Sequence, residues 1–143
     1  MSENPPVIDA SVLVKLFLPE SGSEQAQALI EQVFARHPDG PAVPDLIYAE
    51  CGNVFWKKVQ RGELTAKAAQ ACMADLCALP MQVFPLSELA ENALDWALRY
   101  HITVYDAVYA TLAAALCTQL HTAEAALVRL LKRAPVEVQE IGG

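Results

Sequence analysis

Short apolar runs of strand length alternate along this chain with longer runs at helical period, a pattern that predicts an α/β domain with a mainly parallel sheet. Pro5-Pro6-Val7-Ile8-Asp9 reads as the first strand. Ser11 is the expected N-cap of a short helix through Phe17, which Pro19 ends. Ser21-Gly22-Ser23-Glu24 has capping-box spacing and opens a second helix with Ala26, Leu29, Ile30, Val33 and Phe34 on its apolar face. After a turn at His37-Pro38-Asp39-Gly40-Pro41 comes a brief strand, Ala42-Val43. Pro44-Asp45 then starts a helix that Gly62 stops, with Asp45 as its cap. Thr65 caps a further helix to about Leu79, and Met81 to Leu86 alternates as a strand. Ser87 caps a helix from Glu88 to Tyr100, and Val104 to Leu116 is apolar nearly all round, as a buried helix should be. Thr118 to His121 is a fourth strand, Glu124 to Arg133 a last helix and Val136 to Ile141 a final strand.

Composition narrows the class. With 143 residues, 54% of them hydrophobic, the chain fits a single domain over residues 1–143 with a full core. No apolar run reaches the roughly 18–20 residues of a membrane span. The first residues lack the basic stretch of a secretory signal, so a cytoplasmic protein with no membrane partner is expected. Cys51, Cys72, Cys77 and Cys117 lack C-x-x-C spacing and are expected to pack as small apolar residues. Trp56 and Trp96, at helical spacing with other apolar residues, are expected in the core. The net charge of −7 argues against charge-driven, non-specific binding of nucleic acid, but not against a metal enzyme acting on phosphates.

The candidate chemistry lies in four acids far apart in sequence, each beside a short apolar run: Asp9, Glu50, Asp106 and Glu124. Singly each has an ordinary explanation. Asp9 suits a turn or cap, Glu50 a helix-surface pair with Lys57 or Lys58, Asp106 a helix dipole and Glu124 a first helical turn. Asp106 is the hardest to dismiss, because the helix around it has almost no polar face. In an open parallel sheet the strand order brings all four towards the carboxyl ends of the strands, where ligands bind. Carboxylates that converge cannot all ionise without a cation, and an all-oxygen set suits Mg²⁺ or Mn²⁺. The histidines show no ligand or triad spacing, and neither a G-x-S-x-G elbow nor a phosphate-binding glycine loop is present.

The order and surroundings of these acids resemble the PIN-domain ribonucleases, specifically the VapC-type toxins of bacterial toxin–antitoxin modules. Val7-Ile8-Asp9-Ala10-Ser11 resembles the family's opening strand, and Glu50 followed by Asn53 its second motif. Thr103-Val104-Tyr105-Asp106-Ala107-Val108-Tyr109 resembles the third. The last motif usually reads Thr-Ala-Asp and here is Thr122-Ala123-Glu124. The resemblance implies a three-layer α/β/α fold and an acidic pocket holding one or two divalent ions. It also implies endonucleolytic cleavage of RNA, a homodimer, and an antitoxin whose tail blocks the site. On this reading Asp9 and Asp106 are principal ligands and Glu50 and Glu124 support them. Ser11 and Thr122 hold the carboxylates in place through hydrogen bonds.

Lys15, Lys57, Lys58 and Arg61 are the candidate RNA contacts, set against the ordinary reading of a solvated basic helix end. Leu46, Ile47, Val54, Phe55 and Trp56 cannot all face one core from a single helix, which suggests an apolar surface for a partner. Two other readings compete. A receiver-like signalling domain needs an acid pair at strand one, a phospho-acceptor after strand three and a lysine after strand five. The segments after Phe84 and Val138 offer neither the acceptor nor the lysine. A catalytically impaired PIN-fold module that binds RNA or protein would follow if Glu124 spoils the site.

Overall fold

The computed structural model describes residues 3–142. Five short strands form one sheet: β1 (Val7–Ile8), β2 (Ala42–Pro44), β3 (Gln82–Phe84), β4 (Gln119–Thr122) and β5 (Glu137–Glu140). Their order is β3-β2-β1-β4-β5, and every pairing is parallel. Val7 stands between Ala42 of β2 and Leu120 of β4, so β1 is central and Val7 is wholly buried. Steps from β1 to β3 run outward one way, and the return to β4 crosses back to the other side of β1. Right-handed crossovers then put helices on both faces, giving three α/β/α layers. The reversal between β1 and β4 opens a crevice at the carboxyl ends of these strands.

The helices are α1 (Ala10–Leu13), α2 (Ser23–Arg36), α3 (Leu46–Gln60), α4 (Ala66–Ala78), α5 (Ala90–Tyr100), α6 (Val104–Ala115) and α7 (Ala125–Leu130). Seven consecutive residues of α6, Ala107 to Ala113, are buried, as its all-round apolar pattern predicts. The core gathers Ile8, Leu13, Ile47, Phe55, Leu76, Leu112 and Leu120 around the sheet. Gly62, at φ 72°, takes the left-handed conformation just past α3 that stops it.

Several local expectations are corrected. Asp9, not Ser11, caps α1: its carboxylate accepts from the Val12 N–H, and Ser11 lies inside the helix. The Ser21–Glu24 capping box does not form. Gly22 at φ 88° occupies the N-cap, and the Ser23 hydroxyl is engaged with Leu18 O and Glu20 N–H. Asp45 makes no cap bond to α3; its carboxylate accepts from the Leu86 N–H at 3.1 Å and so ties α3 to the exit of β3. Ser87 sits in a 3₁₀ turn ahead of α5, whose N-cap is Leu89.

Solvent exposure corrects others. Trp96 is core, but Trp56 is 56% exposed. Ile47 and Phe55, expected at a surface, are buried. Cys51 is buried, whereas Cys77 and Cys117 are exposed.

Candidate active site

Asp9 ends the central strand, where its backbone N–H continues the ladder to His121 O at 3.1 Å. The side chain is 5% exposed. A chain of short polar contacts surrounds it. Ser11 Oγ donates to Asp9 Oδ1 at 2.6 Å, and the Ala123 N–H donates to Ser11 Oγ at 2.8 Å. Ser11 Oγ also lies 3.4 Å from Thr122 Oγ1. Thr122 Oγ1 also accepts from the Glu124 N–H at 3.1 Å. The turn after β1 is thereby tied to the turn after β4 through hydroxyls. Ser11 and Thr122 stand where the sequence places them, against the carboxylate.

Burial pushes the Asp9 carboxyl up from 3.8 to about 6, against the pull of hydrogen bonds from Ser11, Thr122 and Val12; the charge of Asp106 adds to the rise. Glu50, half-buried on α3, is raised first by burial and then by Asp106 and Glu124. Asp106 lies in the first turn of α6, whose cap Thr103 accepts from the Asp106 N–H at 3.1 Å. It too is raised by burial, while Thr103 opposes the rise. Glu124 occupies the N-cap position of α7 without a side-chain cap bond, and burial, Asp106 and Asp9 raise it. The charge of Asp106 thus raises each of the other three. The structure brings all four predicted acids to one rim of the sheet.

None of the four has a cationic partner among the described residues. The chain's Lys and Arg side chains either pair with other acids or stand apart. Four carboxylates with only hydroxyl and N–H donors around them form a hard-oxygen donor set, the chemistry that suits Mg²⁺ or Mn²⁺. As the side chains are placed, no three of His, Cys, Asp or Glu among the described residues stand close enough to hold a metal ion. The acids are near enough to repel one another and too far apart to form a ready-made cage.

The candidate substrate cations divide. Lys15 Nζ is engaged by Glu20 at 3.2 Å and by Ser21 O at 2.6 Å, and Lys58 pairs with Glu63 at 3.1 Å. Lys57 and Arg61 are exposed and make no ion pair among the described residues. A cavity of about 680 Å³ lies at the opposite end of the sheet, lined by Arg36, His37, Cys117 and Glu137 rather than by the acids.

Sequence reasoning gave no separate role to Tyr109. Its side chain is 2% exposed, yet its hydroxyl is buried without a hydrogen-bond partner among the described residues. The available signal was spacing: Tyr109 follows Asp106 by three residues and so shares its face of α6.

Known proteins resemble this chain in sequence and in fold. The PIN domain family matches residues 7–131. Ribonuclease VapC3 of Pyrobaculum aerophilum is 34% identical over 109 residues, 75% of this chain and 79% of that protein. Among solved structures, PAE2754 of Pyrobaculum aerophilum superposes with a TM-score of 0.67 at 22% identity, covering 95% of this chain and 84% of its own. A toxin–antitoxin complex from Klebsiella pneumoniae superposes with a TM-score of 0.59 at 15% identity, covering 94% of this chain and 99% of the other.

Proposed function

This chain belongs to the PIN-domain family, and from that membership we propose that it is a divalent-metal-dependent endoribonuclease, the toxin of a type II toxin–antitoxin pair. One observation carries the reading: four mutually repelling carboxylates share the rim at the β1/β4 reversal with no protein cation to offset them. Asp9 and Asp106 are the principal ligands of one or two Mg²⁺ or Mn²⁺ ions, and Glu50 and Glu124 complete the set. Bound there, such an ion lowers the pKa of water and offsets charge on a phosphodiester. Ser11 and Thr122 keep Asp9 aimed at the rim, since the Ser11 hydroxyl donates to Asp9 and braces the Ala123 backbone. Lys57 and Arg61, the unpaired cations of α3, are candidates to hold the RNA backbone.

The homodimer and the antitoxin belong to the same reading. Leu94 and Leu98, four residues apart on the outer face of α5, are 52% and 71% exposed, an apolar strip of the kind a second copy covers. Sedimentation that finds only monomer at high micromolar concentration would count against the dimer. The relative found as a toxin–antitoxin complex supports an antitoxin partner. An Arg or Lys from that partner, placed among the rim acids, would inhibit by substituting for the metal's charge. Excess Mg²⁺ should then partly relieve inhibition. No helix among the described residues is long and apolar enough to cross a membrane. The reading places the protein's action in the cytoplasm, where an RNA substrate and an antitoxin would both be met.

The deciding experiment is RNA cleavage by the purified protein in Mg²⁺ or Mn²⁺, with EDTA and Asp9→Asn as controls. Cleavage that needs the ion and disappears with Asp9→Asn is the expected result. RNA left intact by the wild type in both ions would sink the nuclease reading.

A further inference from the structure

The end of the sheet away from the acids is not closed. There α2 turns one face towards β4 and the start of β5, with Leu29, Gln32, Val33 and Arg36 at helical spacing along it. Instead of packing onto the strands, that face borders a cavity of about 680 Å³. Another wall is the last turn of α6, where Ala113 and Ala114 are too small to fill the space. Protein interiors are close-packed, with few voids larger than a water molecule. This one lies in the size range of pockets that hold small organic molecules.

The cavity also holds a polar atom with nothing to bond. His121 lines it and is 9% exposed, and its Nδ1 is buried without a hydrogen-bond partner among the described residues. Strand register puts Gln119 and His121 on one sheet face with Glu137 and Gln139. Amides meet both oxygens of the Glu137 carboxylate, from Gln119 at 3.1 Å and from Gln139 at 2.8 Å. That acid is held in place and keeps lone pairs for a further donor. Exposed Arg36 and half-buried His37 mark the open side, and Arg36 makes no ion pair among the described residues.

This lining selects its ligand. Inorganic phosphate is far too small for the volume. A fatty chain would leave His121 and Glu137 facing apolar atoms with bonds unmade. What fits is a ring that lies against Leu29, Val33 and Val136 and carries donors and acceptors on its edge. Joined to it should be an anion that the Arg36 guanidinium can grip through two N–H bonds. We propose that this cavity binds a nucleoside monophosphate, its base edge bonded to His121 and Glu137 and its phosphate to Arg36. The site is separate from the acidic rim and does not depend on the metal-dependent reading above.

The test uses the full chain in EDTA, so that no metal at the rim draws phosphate, with AMP, GMP, CMP and UMP each titrated by calorimetry. At least one should bind, and inorganic phosphate should not. Wild-type thiols report the location: Cys117 is exposed and lines the cavity, whereas Cys77 is exposed on α4, outside it. Bound nucleotide should slow iodoacetamide labelling of Cys117 severalfold and leave Cys77 unchanged. Arg36→Gln should weaken binding about tenfold, as loss of a charge-assisted hydrogen bond does. His121→Leu should also weaken it, while the melting temperature of the ligand-free protein holds or rises because the stranded nitrogen is gone. Failure of all four nucleotides to bind at millimolar concentration would overturn the proposal and leave a cavity filled by water. So would binding that leaves Cys117 labelling unchanged, or binding that Arg36→Gln does not weaken. None of these outcomes touches the nuclease reading, which stands or falls on RNA cleavage.

Discussion

Between the end of α1 and the last turn of α3, acids and bases meet and cancel. Lys15 and Lys58 reach Glu20 at 3.2 and 3.9 Å, and Lys58 also reaches Glu63 at 3.1 Å. At the carboxyl rim of the sheet the same chain leaves Asp9, Glu50, Asp106 and Glu124 without a cation, although Arg36, Lys57, Arg61, Lys67, Arg129, Lys132 and Arg133 pair with nothing among the described residues. A shortage of positive charge therefore does not explain the bare rim. Burial raises all four rim acids, a standing cost of keeping them charged. One region balances its charges, and on the metal-dependent reading proposed above the other is arranged to bind something positive.

The sharpest way to break that contrast is to remove rim charge and read stability and activity together. Asp9→Asn keeps the shape, the cap on α1 and an acceptor for Ser11. Cleavage should fall at least about a hundredfold, while the metal-free protein becomes more stable by about 2–3 kcal/mol, the value of lifting a carboxyl from 3.8 to about 6. Asp106→Asn should show the same pairing of effects with a smaller stability gain. Urea unfolding of EDTA-treated protein beside a cleavage assay checks both. A variant that lost activity and stability together would mean the acid is structural.

Stability against pH sharpens the same point. The folded Asp9 carboxyl titrates near 6 and the unfolded one near 3.8, so the native state holds its proton more tightly. Stability from this group is complete below about pH 4 and is lost as pH rises through 6. The other three rim acids are shifted in the same direction and add to it. The metal-free protein should therefore melt higher at pH 5 than at pH 7. A melting temperature that falls on acidification over this window would show that the rim is not strained as described.

Much of this was legible in the chain. Apolar or alternating runs located four of the strands, the mostly polar β4 being placed with less to go on, and the α/β alternation predicted the parallel sheet. The four acids were found because each interrupts or flanks apolar sequence. What could not be read was which of two neighbouring polar groups does a given local task. Asp9 and Ser11 are both good caps two residues apart, and the choice falls to Asp9 because the Ser11 hydroxyl is drawn away by Ala123, more than a hundred residues on. Ser23 is lost to its capping box for the same kind of reason, through Leu18 O. The tertiary partner decides, and periodicity does not contain it. Trp56 failed differently: it continues the helical stripe in sequence but lies on the far side of α3 from Ile47, Cys51 and Phe55.

Glu124 tests the edge of the rim. It is exposed, follows Thr122-Ala123 where the motif this segment resembles usually has Asp, and is coupled to Asp9 and Asp106 through charge. Its extra methylene lets the carboxylate reach from further back. Glu124→Asp should change cleavage by no more than about threefold, and Glu124→Ala should cost about tenfold. If Glu124→Ala cleaves like wild type, this acid belongs with ordinary helix-start glutamates and the rim has three working members.

The smallest effects should come from the cations, and they divide along the same line. Lys58 is committed to Glu20 and Glu63, so Lys58→Gln removes a partly exposed pair worth at most about 1 kcal/mol and leaves RNA binding nearly intact. Lys57 and Arg61 are free to meet phosphate. RNA binding measured on the Asp106→Asn background, where the strand stays uncut, should weaken on their joint replacement by Gln, and the log–log salt slope should flatten by about 0.7 for each phosphate no longer neutralised. The two results are informative only together. If Lys58→Gln flattens the slope as much as the pair does, the ion-paired cluster opens to receive RNA, and the division between a balanced region and a binding region does not hold for the bases as it does for the acids.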